Sequence, residues 1–272
     1  MTILTNLVLY VFALSLLFSI ADLFQRNKNA RDLAAGLLGV VWILQAAFFL
    51  SRLFENNALP VITSFETIYF FAWVLVTFAL VSFFFLRTEV FFHGISIIGF
   101  VVLLFSLNNS ATTIRPYMDL DDAVGIWPLH IALSIGAYAL FTVSALFAGT
   151  YLYMHRRLKT KTWTPIFHRL PNLQWMDKMA YRFALVGWAA MSVALLLGCG
   201  WLVVIGETQL LNDPKVYASL VVFFAYGVYI WRSARLSMVA TRLATWNLIV
   251  YALVLVNFTM MNVLSGFHKW GG

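Results

Sequence analysis

The chain has 272 residues, of which 62% are hydrophobic and only 11% charged, with a formal net charge of +7. Water-soluble domains run near half apolar and a quarter charged, and a soluble fold of this size has too little interior to hide so much apolar surface. The composition therefore excludes a water-soluble enzyme or adaptor and implies an all-α, polytopic membrane protein. A single cysteine, Cys199, excludes an intramolecular disulfide.

A spanning helix needs about 20 mostly apolar residues. Eight segments meet that requirement, at about 3–24, 34–54, 65–86, 91–108, 128–155, 183–205, 216–231 and 244–267. The first has no basic flank and no small-residue cleavage site, so it reads as a retained helix and not a signal peptide. No internal repeat and no linker interrupts the series, which predicts one integral membrane domain over residues 1–272.

Eight spans put both termini on one side, and the basic residues choose that side. Fourteen of the 18 Lys and Arg fall in one set of connecting segments, and only Arg52, Arg115, Lys215 and Lys269 fall in the other. Cytoplasmic loops carry the excess of basic residues. Both termini are thus expected outside, and the positive charge is spent on topology. No nucleic-acid partner is expected.

Three segments then face outward: Glu55–Ser64, Asn109–Trp127 and Gly206–Lys215. Asp119, Asp121 and Asp122 in the second lack calcium-loop spacing and read as a solvated acidic run. The largest inner segment, Arg156–Arg182, interleaves Trp163, Phe167, Trp175 and Tyr181 with basic residues. That pattern predicts a stretch lying in the lipid headgroup layer, in contact with anionic lipid.

Glycine-rich phosphate loops, HExxH, CxxC and GxSxG are all absent from the sequence. Histidine is the informative residue, with five in the chain. His168 lies in the inner segment and reads as a surface residue, and His93 and His155 sit at inner helix ends. His130 and His268 share the outer face. Helical steps put Ser134 and Tyr138 on the side of His130, and Ser265, Met261 and Asn257 beneath His268. A polar stripe on an apolar helix is expected to face protein or a cavity. Two neutral imidazoles at one depth fit the axial positions of a haem iron. Each taken alone is more often an interfacial anchor.

Between them lies WLVVIGETQLLNDPK (201–215). Trp188, Met191, Leu195, Gly198 and Trp201 share a face of the sixth segment. Glycines at 198, 200 and 206 admit a flat ligand or a neighbouring backbone. Asp213 is placed as N-cap of the seventh segment, with Pro214 in its first turn.

Taken with LPVITSFETIYFFAWVLVT (59–77), LHIALSIGAYALFTVSALFAGTYLY (129–153), DKMAYRFALVGWAAMSVALLLGCGWLVVIGETQLLNDPK (177–215) and VNFTMMNVLSGFHKW (256–270), the chain resembles the cytochrome c assembly protein superfamily. That group includes CcsA and CcmC, and the likeness is to its HemX-type members. The resemblance implies eight helices with termini outside, and a noncovalently held haem b with His130 and His268 as axial ligands. It also implies that Trp201–Lys215 corresponds to an outer tryptophan-rich stretch ending in Asp-Pro-Lys. Of that stretch Trp201, Asp213, Pro214 and Lys215 are kept, while Gly206, Leu210 and Asn212 stand where tryptophans are frequent. A second departure is Trp231, where synthase-type members carry a histidine for an inner haem.

These departures argue against cytochrome c synthase activity. The expectation is a non-enzymatic haem-binding membrane protein, with Trp201 beside the macrocycle. Lys215, with Arg52 or Arg115, would then act near the propionates. HemX-type resemblance implies a link to the level of glutamyl-tRNA reductase, which makes that cytoplasmic enzyme a direct or indirect partner. Haem delivery or export for cytochrome c maturation, and a haem-free membrane scaffold, are the alternatives.

Overall fold

The computed structural model describes residues 2–56, 61, 63–86, 89–108, 126–162, 164, 166–235 and 238–263. Their elements are α1 (Thr2–Gln25), α2 (Lys28–Asn56), α3 (Ser64–Val81), α4 (Glu89–Asn108), α5 (Ile126–Thr160), α6 (Leu173–Val204), α7 (Pro214–Ala234) and α8 (Ala240–Val263). There is no strand among the described residues. All eight helices are long and apolar enough to cross a membrane, as the sequence predicts. Apolar side chains such as Ile3, Phe24, Leu196 and Phe224 point outward, as expected of surface wetted by acyl chains.

Two helices exceed their apolar spans. α5 runs five residues past the expected end and α6 begins ten residues before its expected start. Hydropathy stops a span at the first run of charges, but a helix stops where its end groups are capped. At Lys161 the backbone turns left-handed (φ 54°). Thr162 N then donates to Arg157 O at 3.2 Å, and Lys161 N to Leu158 O at 3.3 Å. The Asn172 side chain accepts from Trp175 N at 2.8 Å and opens α6. The segment expected to lie in the headgroup layer is therefore largely two helix ends, joined through a 3-10 turn at Phe167–Arg169.

The chain packs as two compact units. One comprises residues 1–60, 65–110 and 163–171, the other 61–64, 111–162 and 172–272. In the first unit α1 pairs with α2 and α4. Phe48, Phe49, Tyr69 and Trp73 interlock edge to face or tilted across α2 and α3, with centroid separations of 5.0–5.6 Å. Trp42 Nε1 donates to Thr77 Oγ1 at 2.9 Å.

The same unit buries a charge network. Arg169 Nη2 donates to Asp22 Oδ1 at 2.9 Å and Nη1 to Asp22 O at 3.1 Å, while Nε lies 3.1 Å from Glu89 Oε2. His93 Nε2 donates to Asp22 Oδ2 at 2.9 Å and its Nδ1 bonds Ser19 Oγ. Arg31 pairs with Glu89. Arg31 also reaches the exposed Asp32 at 3.0 Å, so three carboxylates face the two guanidiniums.

In the second unit α5 pairs extensively with α6, and α8 packs on both α5 and α7. The α6 residues buried in this contact are small or flexible: Ala180, Ala184, Gly187, Met191 and Ala194. Their spacing alternates four and three, which keeps one narrow seam facing a partner helix. A Cβ at position 187 would lie 2.9 Å from the Phe141 ring, so α5 fills that notch with an aromatic side chain. Ser144 Oγ donates to Ala180 O at 2.7 Å and accepts from Asn247 Nδ2 at 2.8 Å, tying α5, α6 and α8 at one level.

Removing one member of a buried ion pair leaves the other charged and unsolvated, at a cost of about 3–5 kcal/mol. Arg169→Ala is expected to destabilise the protein by that amount in a denaturation titration in detergent. Adding Asp22→Asn to that variant should recover part of the loss, because the stranded charge is then gone.

Candidate functional site

His130 lies in the second turn of α5, after Pro128, where the ring reaches across to the C-terminal part of α6. Its Nδ1 lies 2.6 Å from Ala194 O. A carbonyl only accepts, so Nδ1 carries the proton and the neutral ring has its lone pair on Nε2. The imidazole occupies the space above Gly198. A Cβ there would stand 2.6 Å from Cε1 and 2.7 Å from Nδ1. Glycine at 198 is thus required for the approach. It is the His130 ring that uses this glycine, whereas a Cβ added at Gly200 or Gly206 would meet no packing neighbour within 4 Å among the described residues. Ser134 Oγ donates back to His130 O at 2.8 Å, an intrahelical bond.

The α6 face expected to run from Trp188 to Trp201 is divided between neighbours. Trp188 turns to α7, stacked on Phe223 at 5.1 Å, with Nε1 donating to Phe223 O at 3.0 Å. Met191 is buried, and Trp201 sits partly exposed in the last turn.

α7 begins as the sequence predicts. Asp213 Oδ1 accepts from Lys215 N at 2.8 Å, and Pro214 occupies the first helical position. The stretch before it makes a 3-10 turn at Thr208–Asn212, with Asn212 exposed and bonded through Oδ1 to Tyr217 OH at 2.9 Å.

Lys215 is 7% exposed. Its Nζ donates to Asn257 O at 2.6 Å, approaches Tyr138 OH at 3.5 Å and lies 5.6 Å from the Tyr138 ring centroid. Asn257 Nδ2 in turn donates to Tyr138 OH at 3.0 Å and to Ser219 Oγ at 3.2 Å. Four side chains from α5, α7 and α8 thus form a buried polar knot. Tyr138 and Asn257 are the inward-facing polar residues that helical spacing predicts. Ser219 is absent from the sequence reading, although it stands one turn beyond Lys215 on the same face.

His268 and Arg115 lie outside the described residues, as do Asp119, Asp121 and Asp122. Arg52, in the first unit, lies 3.6 Å from Glu66 Oε1 and over the Phe48 ring. His93 is engaged at both ring nitrogens within the Asp22 network. His155 is exposed and stacked with Tyr151 at 6.2 Å. Among the described residues no group of three or more His, Cys, Asp or Glu is arranged to hold a metal ion.

A haem iron needs neutral imidazole nitrogens, and axial histidines in proteins commonly donate their second ring N–H to a backbone carbonyl. The His130–Ala194 bond is of this kind, so the described half of the expected ligand pair has the chemistry the group requires.

Residues 61–268 match the Cytochrome C assembly protein family, a stretch that draws on both compact units. The chain is 35% identical over 266 residues to Protein HemX of Brevibacillus brevis, covering 97% of each chain. It is 30% identical over 258 residues to Protein HemX of Bacillus subtilis (strain 168), covering 95% of this chain and 94% of that one. A partial likeness, 30% identity over 133 residues and about half of each chain, joins it to an uncharacterized 28.8 kDa protein of Azospirillum brasilense. Similar along nearly its whole length to HemX proteins, this multi-pass membrane protein belongs to the cytochrome c assembly protein family.

Proposed function

We propose that the protein holds haem b noncovalently at the outer end of its helices, with His130 and His268 as axial ligands, and takes part in controlling haem biosynthesis. The observation that carries this reading is the His130 ring. Its Nδ1–H is committed to Ala194 O at 2.6 Å, which leaves the lone pair on Nε2. Assembly of cytochrome c requires handling haem, so membership of that family supports the same assignment. Bound haem would supply a redox-active iron, and with His130 and His268 both holding it the chemistry would favour keeping haem or passing electrons over oxygen chemistry.

The protein's own residues have separable tasks. Gly198 and Ala194 fix the ring of His130. Trp201 offers an aromatic flank for the macrocycle. Asp213 sets the start of α7, and Lys215, held by Asn257 O, directs positive potential toward the propionates. The short stretch before Asp213 presents Gly206, Leu210 and Asn212 in place of tryptophans. We therefore assign holding or sensing of haem, with effects on the level of glutamyl-tRNA reductase, in preference to catalysis of cytochrome c synthesis.

Haem delivery for cytochrome c maturation is the second reading, favoured by the description of the family. The two make opposite demands on cells lacking the gene. A changed reductase level with normal c-type cytochromes supports the control role; loss of c-type cytochromes with unaltered reductase overturns it.

Purified wild-type protein should show the absorption spectrum of a low-spin, bis-histidine haem. His130→Ala and His268→Ala should each lose or alter it. A haem-free wild type, or both variants spectrally unchanged, would sink the ligand assignment. Gly198→Ala intrudes on the imidazole without touching iron, so it should weaken haem binding about 10–100-fold while the helix content is unchanged. A haem titration followed by absorbance checks this.

A further inference from the structure

The C-terminal end of α5 carries a cleft that haem ligation does not use. It has a volume of about 370 Å³ and is lined by Tyr153, Arg156, Arg157, Thr160 and Thr162. We propose that it binds the phosphodiester headgroup of an anionic phospholipid.

The cleft is built by the way the helix ends. The left-handed turn at Lys161 folds the chain back, and Thr162 N reaches Arg157 O at 3.2 Å. That return brings Thr162 Oγ1 within 3.2 Å of Arg157 Nη1 and 2.8 Å of Thr160 Oγ1. On its other side the Arg157 guanidinium lies 5.2 Å from the Tyr153 ring centroid. The fork is thus held between an aromatic face and a hydroxyl pair before any ligand arrives. An arginine fork with adjacent hydroxyls is the donor set that matches phosphate oxygens.

Charge favours an anion here. Among the described residues no carboxylate lines the cleft, whereas the two guanidiniums of Arg156 and Arg157 do. The C-terminus of a helix opposes an anion with only about half a unit of negative charge. The two guanidiniums outweigh it.

Position selects a lipid over a free phosphate compound. α5 has 35 residues, which at ~1.5 Å per residue is roughly 52 Å, against a hydrocarbon core of about 30 Å. Its last turns therefore emerge among the headgroups. Tyr153 is the amphipathic residue type found at that level, and Leu158, exposed beside the arginines, offers apolar surface to an acyl chain.

The test uses the full chain in detergent, supplemented with phosphatidylglycerol, phosphatidylcholine or inorganic phosphate, with retained molecules counted by native mass spectrometry. Phosphatidylglycerol should be retained in preference to phosphatidylcholine. Combining Arg156→Gln with Arg157→Gln should cut its retention roughly 30-fold, the effect expected of two basic residues at a membrane surface. Thr160→Val with Thr162→Val, which keeps every charge, should also reduce it. Arg242→Gln, an exposed cation outside the cleft, should not. Equal retention of phosphatidylcholine, full retention by the arginine variant, or an equal loss on Arg242→Gln would show a nonspecific surface effect and overturn the proposal. Displacement of phosphatidylglycerol by inorganic phosphate would reassign the cleft to free phosphate compounds and overturn the lipid assignment.

Discussion

The second unit depends on how closely α5 approaches α6. In a bilayer, helices gain little from the hydrophobic effect on pairing, because acyl chains are as apolar as leucine. What remains is close packing and a few interhelical hydrogen bonds. Each such bond is worth only ~0.6 kcal/mol on average in a membrane. The bonds from His130 and Ser144 to α6 carbonyls therefore cannot set the pairing alone. The small-residue seam of α6 does, by admitting Phe141 at Gly187 and the His130 imidazole at Gly198. The same contact that joins the two helices fixes the tautomer and seat of the candidate ligand. Structure and site are here one interaction.

Polar groups inside the helices follow a second constraint, that each must find a partner away from water. The first unit meets it with charges: Asp22, His93, Arg169, Glu89 and Arg31 satisfy one another. The second unit meets it with neutral hydroxyls and amides around one cation, Lys215, whose ammonium rests on a carbonyl and beside a tyrosine ring. The Asp213 carboxylate, which caps α7 two residues before Lys215, is an acidic group acting on the same ammonium.

The stretch between Trp201 and Lys215 is where this chain departs from the tryptophan-rich pattern its sequence resembles. Its fold explains what is kept. Trp201 belongs to the last turn of α6, while Asp213 and Pro214 form the start of α7. These positions build helices. Of the replaced positions, Leu210 and Asn212 lie in the 3-10 turn, while Gly206 (φ 80°) makes the left-handed turn just past α6, a conformation that favours glycine.

The sequence by itself determined the class of protein, the number of spanning helices, the cap at Asp213 and the inward face of Tyr138 and Asn257. Each of these rests on local chemistry: apolar length, side-chain hydrogen bonding to the adjacent backbone, and the 3.6-residue period. The tertiary structure alone decided that α5 and α6 continue past their apolar spans, since a helix ends where it is capped and not where it becomes polar. It alone decided that His130 seats on Gly198, because a notch and the ring that fills it lie 68 positions apart in the chain. Ser19 with His93, and Asp22 with Arg169, are partners of the same kind. Periodicity marks them as polar residues, but which of them meet is set by packing between distant helices.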